Sequence, residues 1–156
     1  MKKQALKAVT MLVSIIALAF MTAVATNAQS SRTSLRANVP FDFVVGDKTL
    51  AAGEYTVAAI NQDSTGIKVS GKLNHQNAIR LSIPVEAKAE KNRAMLIFHR
   101  YGEQYFLAQI WMPGSSEGRE MLKSKAERAA ERELSRLASN RGRATAEVVT
   151  IYAELQ

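Results

Sequence analysis

The sequence predicts a mainly β fold: an antiparallel β-sandwich or small barrel, with one C-terminal amphipathic helix followed by a final strand. Three observations predict it. Apolar and polar residues alternate over several short runs, the period-two pattern of a strand with one buried face. Turn formers separate those runs at short intervals. One later stretch changes to three- and four-residue spacing, the mark of a helix.

The alternation is clearest at the start. Leu35, Ala37, Val39, Phe41, Phe43 and Val45 occupy odd positions, with Arg36, Asn38, Pro40 and Asp42 between them. Pro40 lacks an amide donor, which predicts a sheet edge or a bulge there. Gly46-Asp47-Lys48 reads as a turn, residues 50–53 as a second break, and residues 54–60 as the next strand. Residues 61–66 (NQDSTG) form a loop, 67–69 a short strand, and 71–77 a polar connection. Ile79, Leu81, Ile83 and Val85 repeat the alternation, which directs them inward and Arg80, Ser82, Pro84 and Glu86 outward. Residues 87–93 are a charged link. Residues 94–101 and 104–112 make a hairpin around Gly102-Glu103, and residues 113–116 (PGSS) end the β block.

From Glu117 the character changes. Ser124-Lys125-Ala126-Glu127 has the capping-box form: the serine hydroxyl accepts from the Glu127 amide while the carboxylate reaches back. Leu122, Ala126, Ala129, Ala130, Leu134, Leu137 and Ala138 recur at helical spacing, so one amphipathic helix is expected over about residues 124–139, ended by Asn140 or Gly142. Residues 147–155 (EVVTIYAEL) alternate again and read as a last strand within about residues 146–155.

Composition bounds the rest. At 156 residues, 47% of them hydrophobic, the chain can bury one core and is no disordered or low-complexity sequence. The absence of cysteine excludes disulfides, thiolate metal sites, a cysteine nucleophile and a lipid-modified cysteine. Lys2, Lys3 and Lys7 precede the apolar residues 8–20, and small residues follow, the three parts of a secretory signal peptide over residues 1–28. Cleavage after Ala28 is expected, with Ala25 the alternative site. An uncleaved membrane anchor is the rival reading. Residues 29–156 would then be a single β-rich domain in the periplasm or outside the cell. Losing 1–28 removes three of the 21 basic residues and none of the 14 acidic ones, so the formal charge falls from +7 to +4. That weakens any case for nucleic acid as a partner.

Three stretches resemble a family. Residues 39–57 read VPFDFVVGDKTLAAGEYTV, residues 100–114 RYGEQYFLAQIWMPG, and residues 118–134 GREMLKSKAERAAEREL. Together they resemble an uncharacterised family of small exported bacterial proteins. The resemblance implies export and no known activity, so it transfers no functional residue. It departs at Ala51, where the family pattern carries proline. Leu50, Gly53, Tyr55 and Val57 are also similar to a turn-and-strand feature of prealbumin-like β-sandwiches.

Catalytic signatures are sparse. His75 sits in a polar loop and His99 in a strand, without the histidine spacing of a zinc site, and no phosphate-binding glycine loop or nucleophile elbow occurs. No cofactor, metal site or catalytic residue is expected. The candidates for contact are the aromatics Tyr101, Tyr105 and Trp111 and the cationic ridge Arg128, Arg132 and Arg136, spaced one helical turn apart. By parity Tyr105, Leu107, Gln109 and Trp111 share one face of their strand. The resulting expectation is an exported, non-catalytic binding or structural protein. It would bury a small ligand or partner segment against a sheet face or barrel mouth, or meet an anionic envelope surface. A small hydrolase using His75 or His99, and a membrane-anchored assembly factor, are the alternatives.

Overall fold

A computed structural model describes residues 33–73, 75–141 and 146–156. The expected signal peptide and Gly142 lie outside the described residues. Among the described residues the fold is mainly β, with eleven strands in one large mixed sheet that does not close. The chain runs β1 (Ser34–Val39), β2 (Phe43–Val45), β3 (Lys48–Leu50), β4 (Gly53–Ala59), β5 (Gly66–Gly71), β6 (Asn77–Lys91), β7 (Met95–Tyr101), β8 (Gln104–Trp111) and β9 (Ser115–Met121). Helix α1 (Lys125–Arg141), β10 (Glu147–Tyr152) and β11 (Glu154–Leu155) follow.

The sheet order is β10-β7-β8-β9-β6-β5-β4-β1-β11, with β2 joined to β3 and, in parallel, to β8. Two stretches of chain serve two neighbourhoods each. Residues 77–81 of β6 pair with β5, and the remainder pairs with β9. Strands β10 and β11 are separated only by Ala153, yet the first pairs with β7 and the second with β1. Pro40 stands between β1 and β2. A residue without an amide donor ends the ladder with β4 there and lets the chain cross to β8.

Alternation places the core at the start as expected. Leu35, Ala37, Val39, Phe43 and Val45 are buried, and Phe41 packs against them partly covered. Phe43 meets the ring of Tyr55 at 5.0 Å and that of Phe98 at 5.4 Å, so side chains from β4 and β7 converge on it. Tyr55 donates its hydroxyl hydrogen to the Ala51 carbonyl at 2.6 Å, in the turn that leads into β4. Gly46 (φ 66°) closes the β2–β3 turn in the left-handed region that glycine occupies without steric cost.

Several expectations are corrected. Strand β6 runs through residues 87–91, which are no link, and its faces are reversed. Ala78 and Ser82 are buried, whereas Ile79, Leu81 and Ile83 are exposed. The inward position at Ser82 is held by polar bonding of its hydroxyl. Its hydroxyl donates to the Ser64 carbonyl at 2.6 Å and lies 3.3 Å from Arg119 Nε. The β block does not end at residue 116, because β9 lies between β6 and β8. Its sequence SSEGREM has little strand propensity, but bonding from both neighbours holds it extended. Strand β3 takes Lys48 from the expected turn and Leu50 from the expected break. Helix α1 presents Glu127 to the sheet, while Ala126, Ala129 and Leu137 of the expected inner face are exposed and Ala130 and Leu134 half-buried.

Candidate functional site

An apolar mouth lies between β4–β5 and β8–β9. Its interior is formed by Val57 and Ile67 on one side and Ile110 and Met112 on the other, in a cleft of about 220 Å³. Val57, Ile67 and Ile110 belong to the hydrophobic core and Met112 packs against it, so the cleft is an opening into the core. The rim is polar, with Ser64, Glu117 and Arg119.

Arg119 is fully engaged in holding that rim. Its Nε–H donates to the Ser64 carbonyl at 3.1 Å and to Ser82 Oγ at 3.3 Å, and its Nη2 donates to the Asp63 carbonyl at 3.0 Å. Nη1 stands 3.7 Å from Glu117. The guanidinium therefore ties the loop between β4 and β5 to β9. A cation committed to two carbonyls, a hydroxyl and a carboxylate is a fixed part of the wall. No residue pattern marks this mouth. Arg119 is one of many basic residues, and its partners come from loops distant in the chain.

The predicted aromatics go elsewhere, for one local reason. The β7–β8 ladder pairs Ile97 with Gln109 but Phe98 with Leu107, leaving Ala108 as an extra residue in β8. Such a bulge reverses parity beyond it. Tyr105, Leu107 and Ile110 consequently belong with the core, whereas Gln109 and Trp111 turn to the opposite face. The expected shared face of Tyr105, Leu107, Gln109 and Trp111 is thus corrected. Tyr105 stacks on Phe41 with centroids 4.0 Å apart. Trp111 is only 3% exposed; its Nε1–H donates to Gln109 Oε1 at 3.1 Å, and Lys91 covers its ring.

Tyr101 belongs to a polar cluster beneath the first turns of α1. Its hydroxyl donates to Glu127 Oε1 at 3.5 Å, and His99 Nδ1 lies 3.3 Å from the same oxygen. Burial first, and then the Glu127 carboxylate, push the Tyr101 phenol above its ordinary value. Lys123 bonds Glu131 at 2.7 Å, and that bond raises its ammonium pKa against the opposing effect of burial. Half of the expected capping box forms: the Glu127 amide donates to Ser124 Oγ at 3.1 Å. The Glu127 carboxylate is drawn to the sheet instead of back to the cap. An imidazole beside a carboxylate is part of a hydrolytic triad, but among the described residues no hydroxyl bonds His99. Ser124 is buried and used as a cap. His75 is exposed in its loop.

The ridge residues Arg128, Arg132 and Arg136 are exposed on α1. Arg132 Nε–H donates to the Arg128 carbonyl at 3.0 Å, and Arg136 faces Glu133 at 3.9 Å. Helix α1 meets the sheet at Tyr101, beside the β7–β8 turn, while the mouth opens at the other end of β8, so helix and ridge stand away from it. Among the described residues no three acidic or histidine side chains converge as a metal site would require. No protein-family model, no curated protein and no solved structure matches this chain.

Proposed function

We propose that this chain is an exported, non-catalytic binding protein that takes a narrow, uncharged, apolar group into the mouth between β4–β5 and β8–β9. One observation carries the reading: the core side chains Val57, Ile67 and Ile110 are reached from solvent through a cleft of about 220 Å³. That space lies below the roughly 300–1,000 Å³ of sites for drug-sized ligands. It fits the end of an acyl chain, a single ring, or one side chain of a partner segment. The charge pattern favours the same class, because Arg119 is already committed and the lining offers no other cation to an acid. We read the architecture as sandwich-like, two arms of one sheet facing each other, with the helix and final strands completing it. The ring contacts of Phe43 with Tyr55 and Phe98 support this. Export rests on residues 1–28, and mass spectrometry of the protein from the cell envelope and medium tests its form: a mass starting at Gln29 or Thr26 supports a cleaved, released chain, and a retained leader supports the membrane-anchored alternative instead.

The binding test uses hexanol as a neutral probe and methyl NMR as the readout. Saturable shifts are expected at Ile67, Ile110 and Met112. Ala59→Phe, which fills the lining, should abolish them while keeping the unfolding temperature. An absence of saturable shifts, or identical shifts in Ala59→Phe, overturns the reading.

A further inference from the structure

We propose that a second copy of this chain packs on the outward face of β6, with Leu81 at the centre of the contact. Five large apolar side chains are exposed there: Ile79 at 58%, Leu81 at 59%, Ile83 at 47%, Leu122 at 41% and Ile60 at 40%. They form one cross-shaped patch. Ile79, Leu81 and Ile83 follow each other along the outer face of β6, about 7 Å apart. Leu81 lies opposite Gly66 of β5, and the Ile60 side chain lies over that glycine, where a Cβ would stand 2.5 Å from Ile60 Cδ1. On the other side, the Leu122 amide donates to the Leu81 carbonyl at 3.0 Å, continuing the ladder that pairs Met121 with Ser82. Side chains directly opposite in an antiparallel ladder share a face. Apolar patches of a few hundred Å² rimmed by polar groups mark contact surfaces.

The charges at the rim select the occupant. Lys68 lies opposite Ile79, and Glu120 lies opposite Ile83, so opposite charges stand at the two ends of a diagonal through Leu81. A two-fold axis through Leu81, at right angles to that diagonal, lays each lysine on the partner's glutamate and crosses the β6 arm of each copy with the Ile60–Leu122 arm of the other. A self-complementary patch of this kind is what an isologous dimer requires.

The test is sedimentation velocity on the protein recovered from cells expressing the full chain. A dimer is expected at tens of micromolar. Leu81→Asp should be monomeric, with at least a ten-fold weaker association and an unchanged unfolding temperature. Lys68→Glu and Glu120→Lys should each weaken the dimer about three-fold or more, and the double exchange should restore it. A wild-type monomer at 100 micromolar, a dimeric Leu81→Asp, or a double exchange that fails to restore association overturns the proposal. So does a wild-type monomer that cosediments with uncharged phosphatidylcholine vesicles through Leu81, which assigns the patch to lipid. Hexanol binding at Ile110 is read separately, so either proposal can fail alone.

Discussion

The indole of Trp111 lies directly over Gly118: a Cβ built on that glycine would stand 2.6 Å from Trp111 Cδ2. The two residues are cross-strand partners in the β8–β9 ladder. A methyl group has no room unless the ring or the strand moves. Gly118→Ala is therefore expected to cost about 1–3 kcal/mol, as overpacked sites do. Trp111 is the only tryptophan, so its fluorescence reports the site, and a red shift should accompany a lower urea midpoint. A variant with wild-type emission and midpoint would reject the arrangement.

Ala108 is the extra residue in β8. Its deletion would set Gln109 directly after Leu107, so regular alternation would keep Gln109 and Trp111 on the face they already occupy and preserve the pairs Phe98 with Leu107 and Ile97 with Gln109. The expected cost is below about 3 kcal/mol, within the range of ordinary single lesions. Near-UV circular dichroism and amide dispersion should both be retained. Loss of the cooperative unfolding transition would show that the bulge is required for the fold.

Arg119 predicts a local effect. Arg119→Met keeps much of the stem and removes the bonds to Ser64, Asp63 and Ser82. A loss of about 1–3 kcal/mol is expected. Hydrogen exchange should rise at the Ser82 amide, which donates to the Thr65 carbonyl, and at the Ile60 amide, which donates to Gly66. Amides of β10 should not change. Uniform acceleration across the sheet would mean that Arg119 supports the whole fold and not this loop alone.

Tyr101 gives a prediction with a definite sign. A phenol whose folded pKa exceeds its unfolded value holds its proton more tightly when folded. Its contribution is complete below the ordinary value of 10.0 and declines as pH rises from there through the raised folded value. Lys123, also raised, acts in the same direction above 10.5. Wild-type stability should therefore fall above about pH 10, and Tyr101→Phe should fall less steeply. Thermal melts at intervals across that range measure the slopes. A variant with the wild-type slope would show that Tyr101 ionises as easily folded as unfolded.

Local pattern made much of this fold legible, and tertiary bonding hid the rest. The odd-numbered run from Leu35 to Val45 read correctly because Arg36, Asn38, Pro40 and Asp42 separate its apolar residues. On β6 the same rule pointed the wrong way. Alternation shows that a strand has two unlike faces, and size suggests which is interior, but there the interior position belongs to Ser82 and its bonds to Ser64 and Arg119. A bulge such as Ala108 has no marker in FLAQI, so parity arguments failed beyond Leu107. Strand β9 was hidden because its extended form comes from two flanking strands, whereas its own residues favour neither helix nor sheet. Of the candidate contact residues, Tyr105 stacks on Phe41 and Trp111 is buried, which their place in the strand did not reveal. The mouth was illegible because its walls come from β4, β5, β8 and β9, which only the finished sheet brings together.

The closing segment of the sheet sets the order in which the molecule can form. Leu35 pairs with Leu155, almost the full described length away, while Phe98 pairs with Val149. Loops that long are closed slowly, and the ladder rewards the search only at its end. Until residues 147–156 arrive, β1 and β7 each present an unpaired edge to any neighbouring strand. Newly made copies are thus most prone to aggregate in that interval, before the fold is complete.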